Sequence, residues 1–374
     1  MNCACRPRSA TILGMRRLLL PLVLLIPLAA CDSGNTKPPE DPGGADSLEP
    51  SDPIEAAAKK MAEGDAEGAL SILEEALAKT PDDHELLFSR GVALRKLGRV
   101  DEALAAWDAA LAIEPDDFAA LSAKGAVFVE REDWPKAIET LQAAANAKAD
   151  HADTHYNLAL AILGQGGPDA VAQAQKALET AHSLDAEDLD VSLLLGDMYI
   201  KQFRLADAEP ILKAAAAQAP EDARIQAALG RLALKAGDGE GALAAFQKAL
   251  ATAPDDAGYQ LGEAQALLRL NRSEEAEQKL EALSQRAPES AVVWLEWGTA
   301  LAKQGKLKPA LEKMDEAVKR APQLVSAQVR RIGLLSDLGR CKDAKAALKT
   351  LQGTTQAAEA LELAEAATKG CKRK

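Results

Sequence analysis

The sequence predicts an all-α protein, an α-solenoid of about nine stacked helix-turn-helix units closed by a capping helix. Three observations predict it. Prolines recur at Pro81, Pro115, Pro220, Pro254, Pro288 and Pro322, with gaps of 34, 105, 34, 34 and 34 residues. Twelve residues before each of these positions or its equivalent stands an alanine: Ala69, Ala103, Ala137, Ala174, Ala208, Ala242, Ala276, Ala310 and Ala344. The 374 residues are 48% hydrophobic but only 3% aromatic, so Ala and Leu must fill the interior. A fixed period of this length marks units that bury their apolar faces only against their neighbours. A net charge of −13 excludes a general nucleic-acid binder, because affinity for phosphates comes from neutralising them with Lys and Arg.

The chain opens on an address. Arg16 and Arg17 precede an apolar run from Leu18 to Ala30, interrupted by Pro21 and Pro27 and followed by Cys31. Thirteen residues are too few for a hydrocarbon core that needs about 20, so the run reads as a secretion signal rather than a permanent span. Met15 is an alternative start that gives a signal of ordinary length. Leu28-Ala29-Ala30-Cys31 resembles the lipobox of bacterial lipoproteins, which implies cleavage after residue 30 and a diacylglyceryl group on Cys31. The alternative is an ordinary signal peptide with a chance cysteine. Attachment through acyl chains implies the cell envelope; Asp32 resembles an inner-membrane retention signal whose rule varies between bacterial groups, so either membrane stays open. Residues 31–52 are rich in Pro, Gly, Ser and acid and form the expected tether. As a coil it spans on the order of 25 Å.

The repeats follow, with expected bounds 50–83, 84–117, 118–151, 152–188, 189–222, 223–256, 257–290, 291–324 and 325–358. Ala149 and Ala186 take the proline's place inside the long gap, and its three surplus residues fall at Gly164 to Pro168. A small residue recurs twelve before the alanine at Gly91, Gly125, Gly196, Gly230, Ala264 and Gly298, where two helices can approach closely. Leu104, Trp107 and Leu111, like Leu243, Phe246 and Leu250, form one stripe of an amphipathic second helix. Trp107, Phe128, Tyr199, Phe246, Trp294 and Trp297 are the larger fillers. Gly98 and Gly237 end first helices, and Pro115-Asp116-Asp117 ends a second helix and caps the next first one. The first unit is degenerate in its opening helix, Ile54 to Glu63. Gln356 to Thr368 reads as the cap, with Leu361 and Leu363 as its apolar contacts. The solenoid thus covers residues 53–358, and residues 359–374 are the end of the cap and a basic tail.

This pattern resembles the tetratricopeptide repeat. The resemblance implies a right-handed solenoid whose first helices line a concave face that holds a peptide or a partner helix. Carrying its groove positions over gives Phe88, Val92 and Arg95; Tyr156, Asn157, Leu160 and Leu163; Leu193, Asp197 and Ile200; Arg231 and Leu234; Leu261 and Leu268; Leu295 and Thr299. His155-Tyr156-Asn157-Leu158-Ala159 is the best local match to the family, and Asn157 is a candidate to bond a peptide backbone, with a solvated helix residue as the alternative. Repeats that grip acidic chaperone tails need a Lys, Asn, Asn, Lys, Arg set; Ser89, Ala123, Leu194, Ala228 and Glu296 stand there instead.

Of the five cysteines, Cys341 and Cys371 remain after the signal and Cys31 are set aside. In an oxidising compartment such a pair suggests a disulfide, and two unpaired thiols near a frayed tail are the alternative. Acid is concentrated before residue 200, and base after residue 300 at Lys303, Lys306, Lys308, Arg330, Arg331, Arg340 and Lys342. That basic end is read either as plain solubilising charge or as a receiver of an acidic partner or lipid headgroups. Only His151 and His155, of four histidines, have helical metal spacing, and no Glu completes a zinc-protease motif around them. No phosphate-cradling loop or nucleophile elbow is present. The expectation is therefore a non-enzymatic envelope scaffold without metal, cofactor or small-molecule substrate, whose partner is another envelope protein or peptide. A narrower version resembles pilotins and assembly lipoproteins of pilus secretins or outer-membrane barrels; a regulatory subunit of a peptidoglycan enzyme is a third.

Overall fold

The computed structural model describes residues 52–369; the signal, Cys31, the tether before Asp52, and Cys371 lie outside the described residues. Among the described residues, nine antiparallel hairpins follow one another without a strand. The first four pair α1 (Pro53–Ala62) with α2 (Ala66–Leu77), α3 (His84–Lys96) with α4 (Val100–Ile113), α5 (Phe118–Glu130) with α6 (Trp134–Ala147), and α7 (Ala152–Gln165) with α8 (Ala170–Leu184). Next come α9 (Leu189–Lys201) with α10 (Leu205–Gln218), α11 (Ala223–Ala236) with α12 (Gly239–Thr252), and α13 (Ala257–Arg269) with α14 (Ser273–Arg286). The last are α15 (Ala291–Lys303) with α16 (Leu307–Arg320) and α17 (Val325–Asp337) with α18 (Cys341–Thr354), after which α19 (Ala358–Lys369) packs on both. First helices also pack on one another, α9 on α11 on α13 on α15, and so form one layer backed by the second helices.

The alanine signature is a packing constraint written as residue identity. All nine alanines, from Ala69 to Ala344, are fully buried. In five hairpins the larger side chain four residues after the alanine lies on the glycine of the first helix. A Cβ on Gly91 would stand 2.2 Å from the Trp107 indole nitrogen, and one on Gly230 would stand 2.8 Å from the Phe246 ring. Leu141, Leu212 and Met314 crowd Gly125, Gly196 and Gly298 in the same way. Trp107 is wholly buried, and its indole N–H donates to the Phe88 carbonyl at 3.2 Å. Enclosing such a ring stabilises by roughly 1.5–3 kcal/mol.

The hairpin turns share a device that glycine alone did not reveal. A left-handed residue recurs at Gly64, Gly98, Glu132, Gly166, Phe203, Gly237, Asn271, Gly305 and Gly339. Three of these carry side chains, at a cost on the order of 1–2 kcal/mol each. First helices are capped by Asp83, Asp117, Asp188, Asp222 and Asp256, whose carboxylates accept backbone N–H groups of the first turn. His151 occupies the same register in hairpin four and makes no such bond.

A second lock recurs at the start of hairpins four and six to nine. The residue six after the closing proline donates a side-chain hydrogen bond to that proline's carbonyl: Gln226 to Pro220 at 2.8 Å, Gln260 to Pro254 at 2.7 Å, and the Trp294 indole to Pro288 at 2.8 Å. Gln328 repeats it on Pro322. In hairpin four the lock is His155 Nε2 to the Ala149 carbonyl at 2.8 Å, so His155 holds a junction. His151 is likewise structural, its ring 4.8 Å from Phe118 and its Nδ1 3.2 Å from the buried Thr154 hydroxyl.

The end of the stack corrects one expectation. Leu363 is 58% exposed, and the cap is held instead by Leu361, Ala364, Ala367 and Thr368, one face of α19, against Ile332 and Leu351. Leu363 lies off that face, so its greasy character misleads. Cys341, which opens α18, is disulfide-bonded.

Candidate binding face

The inner layer of first helices is the candidate face, because the second helices bury their stripe beneath it. Phe88, Tyr156, Leu160, Leu163, Leu193, Leu234 and Leu261 are half-buried there, and Val92 is exposed. Half-burial of large apolar side chains on one layer leaves carbon surface facing solvent. Ser122, Ala126 and Val129, also half-buried, continue the stripe across hairpin three.

Four residues expected in the groove are not in it. Ile200, Leu268, Leu295 and Thr299 are buried at 4–6% exposure. Ile200 belongs to the core of hairpins four to six, and Leu268 and Leu295 to the larger core that follows. The Thr299 hydroxyl donates to the Leu295 carbonyl at 2.8 Å within its own helix.

Both cations expected in the groove are already engaged. Arg95 pairs with Glu130 of the next hairpin. Arg231 makes a two-oxygen contact with Asp197 at 2.7 and 2.9 Å, across a separation of one full repeat. Nearby, Arg224 bridges Asp222 and Asp190 at 2.7 Å each, and those bonds hold the guanidinium above its ordinary range. Tyr156 lies beside this cluster. Burial first, then the Asp190 and Asp188 carboxylates, push its phenol above the usual range, so it is a neutral hydroxyl at physiological pH.

Asn157 differs from these neighbours. It is half-exposed between Tyr156 and Leu160 on the sequence, and its amide makes no hydrogen bond within the described residues. A free amide can supply a donor and an acceptor together, the pair that an extended backbone presents. The stripe beside it offers apolar contact. The basic end is more committed than its sequence suggests: Lys306 pairs with Glu277, Arg331 with Asp315 and Arg340 with Asp343, and Lys303 donates to the Leu268 carbonyl at 2.8 Å. Among the described residues no group of three His, Cys, Asp or Glu is placed to hold a metal ion. No helix there is long and apolar enough to cross a membrane.

A family model for the tetratricopeptide repeat matches residues 60–127, 168–232 and 233–295, just over half of the chain. The chain belongs to the tetratricopeptide-repeat family. Proteins built on these repeats are interaction scaffolds that bind peptides or other proteins, and they are generally not catalysts. Among solved structures this tetratricopeptide-repeat chain is similar to PilF of Pseudomonas aeruginosa, with 21% identity, 57% of this chain and 96% of that one covered, and a TM-score of 0.52. It is also similar to the Cut9–Hcn1 hetero-tetramer of the APC/C, with 17% identity, 76% and 55% covered, and a TM-score of 0.50. YrrB, a TPR protein with an unusual peptide-binding site, is 21% identical over 50% of this chain and 95% of that one, with a TM-score of 0.45. These likenesses are of fold. No curated protein matches the chain.

Sequence reasoning missed the Asp197–Arg231 pairing and the Arg224 bridge, although opposite charges at one register of successive tetratricopeptide repeats carried the signal. It had no signal for the left-handed Phe203, since glycine is the residue type that marks such turns.

Proposed function

We propose that this chain is a lipid-anchored scaffold of the bacterial cell envelope. Acyl chains on Cys31 moor it to the inner or outer membrane, facing the periplasm, and the inner layer of hairpins two to six holds a segment of another envelope protein. The observation that carries the binding reading is the uncommitted Asn157 amide set in a half-buried apolar stripe with Tyr156, Leu160, Leu163 and Leu193. The support for the anchor is the order basic pair, apolar run, Leu28-Ala29-Ala30-Cys31. An extended, apolar segment that offers backbone groups fits this surface better than an acidic tail, because the inner cations Arg95, Arg224 and Arg231 already hold carboxylates.

The test has two parts. Metabolic labelling with palmitate should mark the wild-type chain and not Cys31→Ser; equal labelling removes the anchor. A photo-crosslinking residue in place of Leu160 should capture a discrete envelope protein, and Asn157→Ala with Leu193→Glu should abolish the adduct. Capture that survives this double change sinks the groove reading. Recovery of a secretin or an outer-membrane barrel machine would select the narrower assembly-lipoprotein version.

A further inference from the structure

The edge formed by the hairpin turns changes character along the stack. The tips of hairpins one and three are acidic, with Glu63, Asp65, Glu130, Glu132 and Asp133 against Arg131, and hairpin two between them carries Lys96 and Arg99. From hairpin five onward four successive first helices end in a cation at one register, Lys201, Lys235, Arg269 and Lys303. No carboxylate pairs with any of them among the described residues. Lys235 lies over the Phe203 ring at 4.8 Å, Arg269 donates to the Gly237 carbonyl at 3.3 Å, and Lys303 contacts the Leu268 carbonyl and the Asn271 side chain. Carbonyl and ring contacts leave the charge uncancelled. Arg204 and Arg272 add charge at the same tips, and their partners Asp207 and Glu275 sit one turn back inside the second helices. The carboxylates at the tips of hairpins five to nine are Asp238 and Asp337. A preference of helix C-termini for cations does not account for the ladder, since hairpins three, four and nine place Glu130, Gly164 and Asp337 at that register.

Phe203 is the second observation. It is 68% exposed and holds a φ of +59° where six of the nine turns use glycine. Within the fold this ring meets the Lys235 ammonium and is otherwise open to solvent, and a strained residue with so little internal return points to a contact outside the chain. Val171 is 52% exposed on the same edge: Gln202 donates to Gln175, one helical turn beyond Val171, at 2.9 Å. The uncharged insertion Gly166-Gly167-Pro168 precedes it.

We infer that this turn edge rests on an anionic bilayer surface, with Phe203 and Val171 entering the boundary between headgroups and acyl chains and the Lys201-Lys235-Arg269-Lys303 ladder lying over phosphates. Projecting apolar tips flanked by lysines are what a bilayer interface accepts. An acidic peptide would need cations converging in a groove, whereas these are strung out one per hairpin, at the roughly 8–10 Å interval of packed helices. The overall charge of −13 does not forbid the contact, because fields are screened beyond about 8 Å at physiological salt and most of the acid lies before residue 200. The contact does not depend on Cys31, and its test removes that residue.

The full chain carrying Cys31→Ser is sedimented with phosphatidylcholine vesicles that do or do not contain phosphatidylglycerol, at low and at physiological salt. It should bind the anionic vesicles alone and release as salt rises. Phe203→Gly, which relaxes the turn, and the pair Lys201→Glu with Lys235→Glu should each lower the bound fraction at least about fivefold, with the helical circular dichroism unchanged. Equal binding to neutral vesicles, indifference to both variants, or polyglutamate binding as tight as that to vesicles overturns the inference.

Discussion

Phe246 lies between two glycines, which makes its hairpin a place to measure what close approach is worth. A Cβ on Gly230 would meet the ring at 2.8 Å and one on Gly262, in the next hairpin, at 2.3 Å. The ring is 2% exposed and has nowhere to move. Gly230→Ala therefore costs roughly 1–3 kcal/mol of overpacking, against about 1 kcal/mol gained by removing a mid-helix glycine. The expected net loss is about 1 kcal/mol. Phe246→Leu alone costs under about 1.5 kcal/mol, and in its presence Gly230→Ala should become stabilising by about 1 kcal/mol. Hairpins one, four and seven already place Ala57 with Leu73, Ala159 with Leu178, and Ala264 with Leu280 at these two registers, all buried. The coupling, about 2 kcal/mol, falls in the range for residues in contact. Urea unfolding read by circular dichroism gives the four corners of the cycle, and hydrogen exchange in α11 and α12 localises the effect, since repeat arrays open piecemeal. A cost for Gly230→Ala that is the same in both backgrounds refutes the close-approach account.

Other outcomes follow from the turns, the caps and the end of the stack. Phe203→Gly should stabilise by about 0.5–1 kcal/mol, the relief of a left-handed side chain less an exposed cation–π contact; a lower melting temperature contradicts this. Burial holds the His151 imidazole below its ordinary range, so the unfolded chain takes up the proton first as pH falls. Stability that is complete above about pH 6.5 is then lost on acidification. His151→Asn supplies the missing cap, about 1 kcal/mol, and gives up the Phe118 and Thr154 contacts, so it should change stability little at neutral pH while flattening the slope between about pH 5 and 7; an unchanged slope assigns the acid sensitivity elsewhere. Digestion without reductant should yield a Cys341–Cys371 linked peptide pair, and reduction should lower the protection of α19; an alkylatable Cys371 removes that pairing.

The architecture was legible because its constraint is one of size at fixed intervals, and size is a property of the residue itself. Ala103 and Gly91 announce the crossing they occupy. The binding face was less legible, because exposure there depends on how far each first helix rotates against the next. Leu163 and Leu268 share a chemical character and a register, yet one is half-buried on the inner layer and the other is 5% exposed within the core. Leu363 was misread because an apolar residue in an alanine-rich helix attracts the interior position that Ala364 takes.

The buried sets change partners only between adjacent hairpins, and the three surplus residues at Gly164 to Pro168 are absorbed in a single turn without shifting the alanines on either side. Length is therefore an adjustable dimension of this molecule. Excision or duplication of one 34-residue unit would preserve every remaining joint and shorten or extend the inner surface by roughly one helix spacing, about 10 Å. The chain works as a ruler whose graduations are alanines.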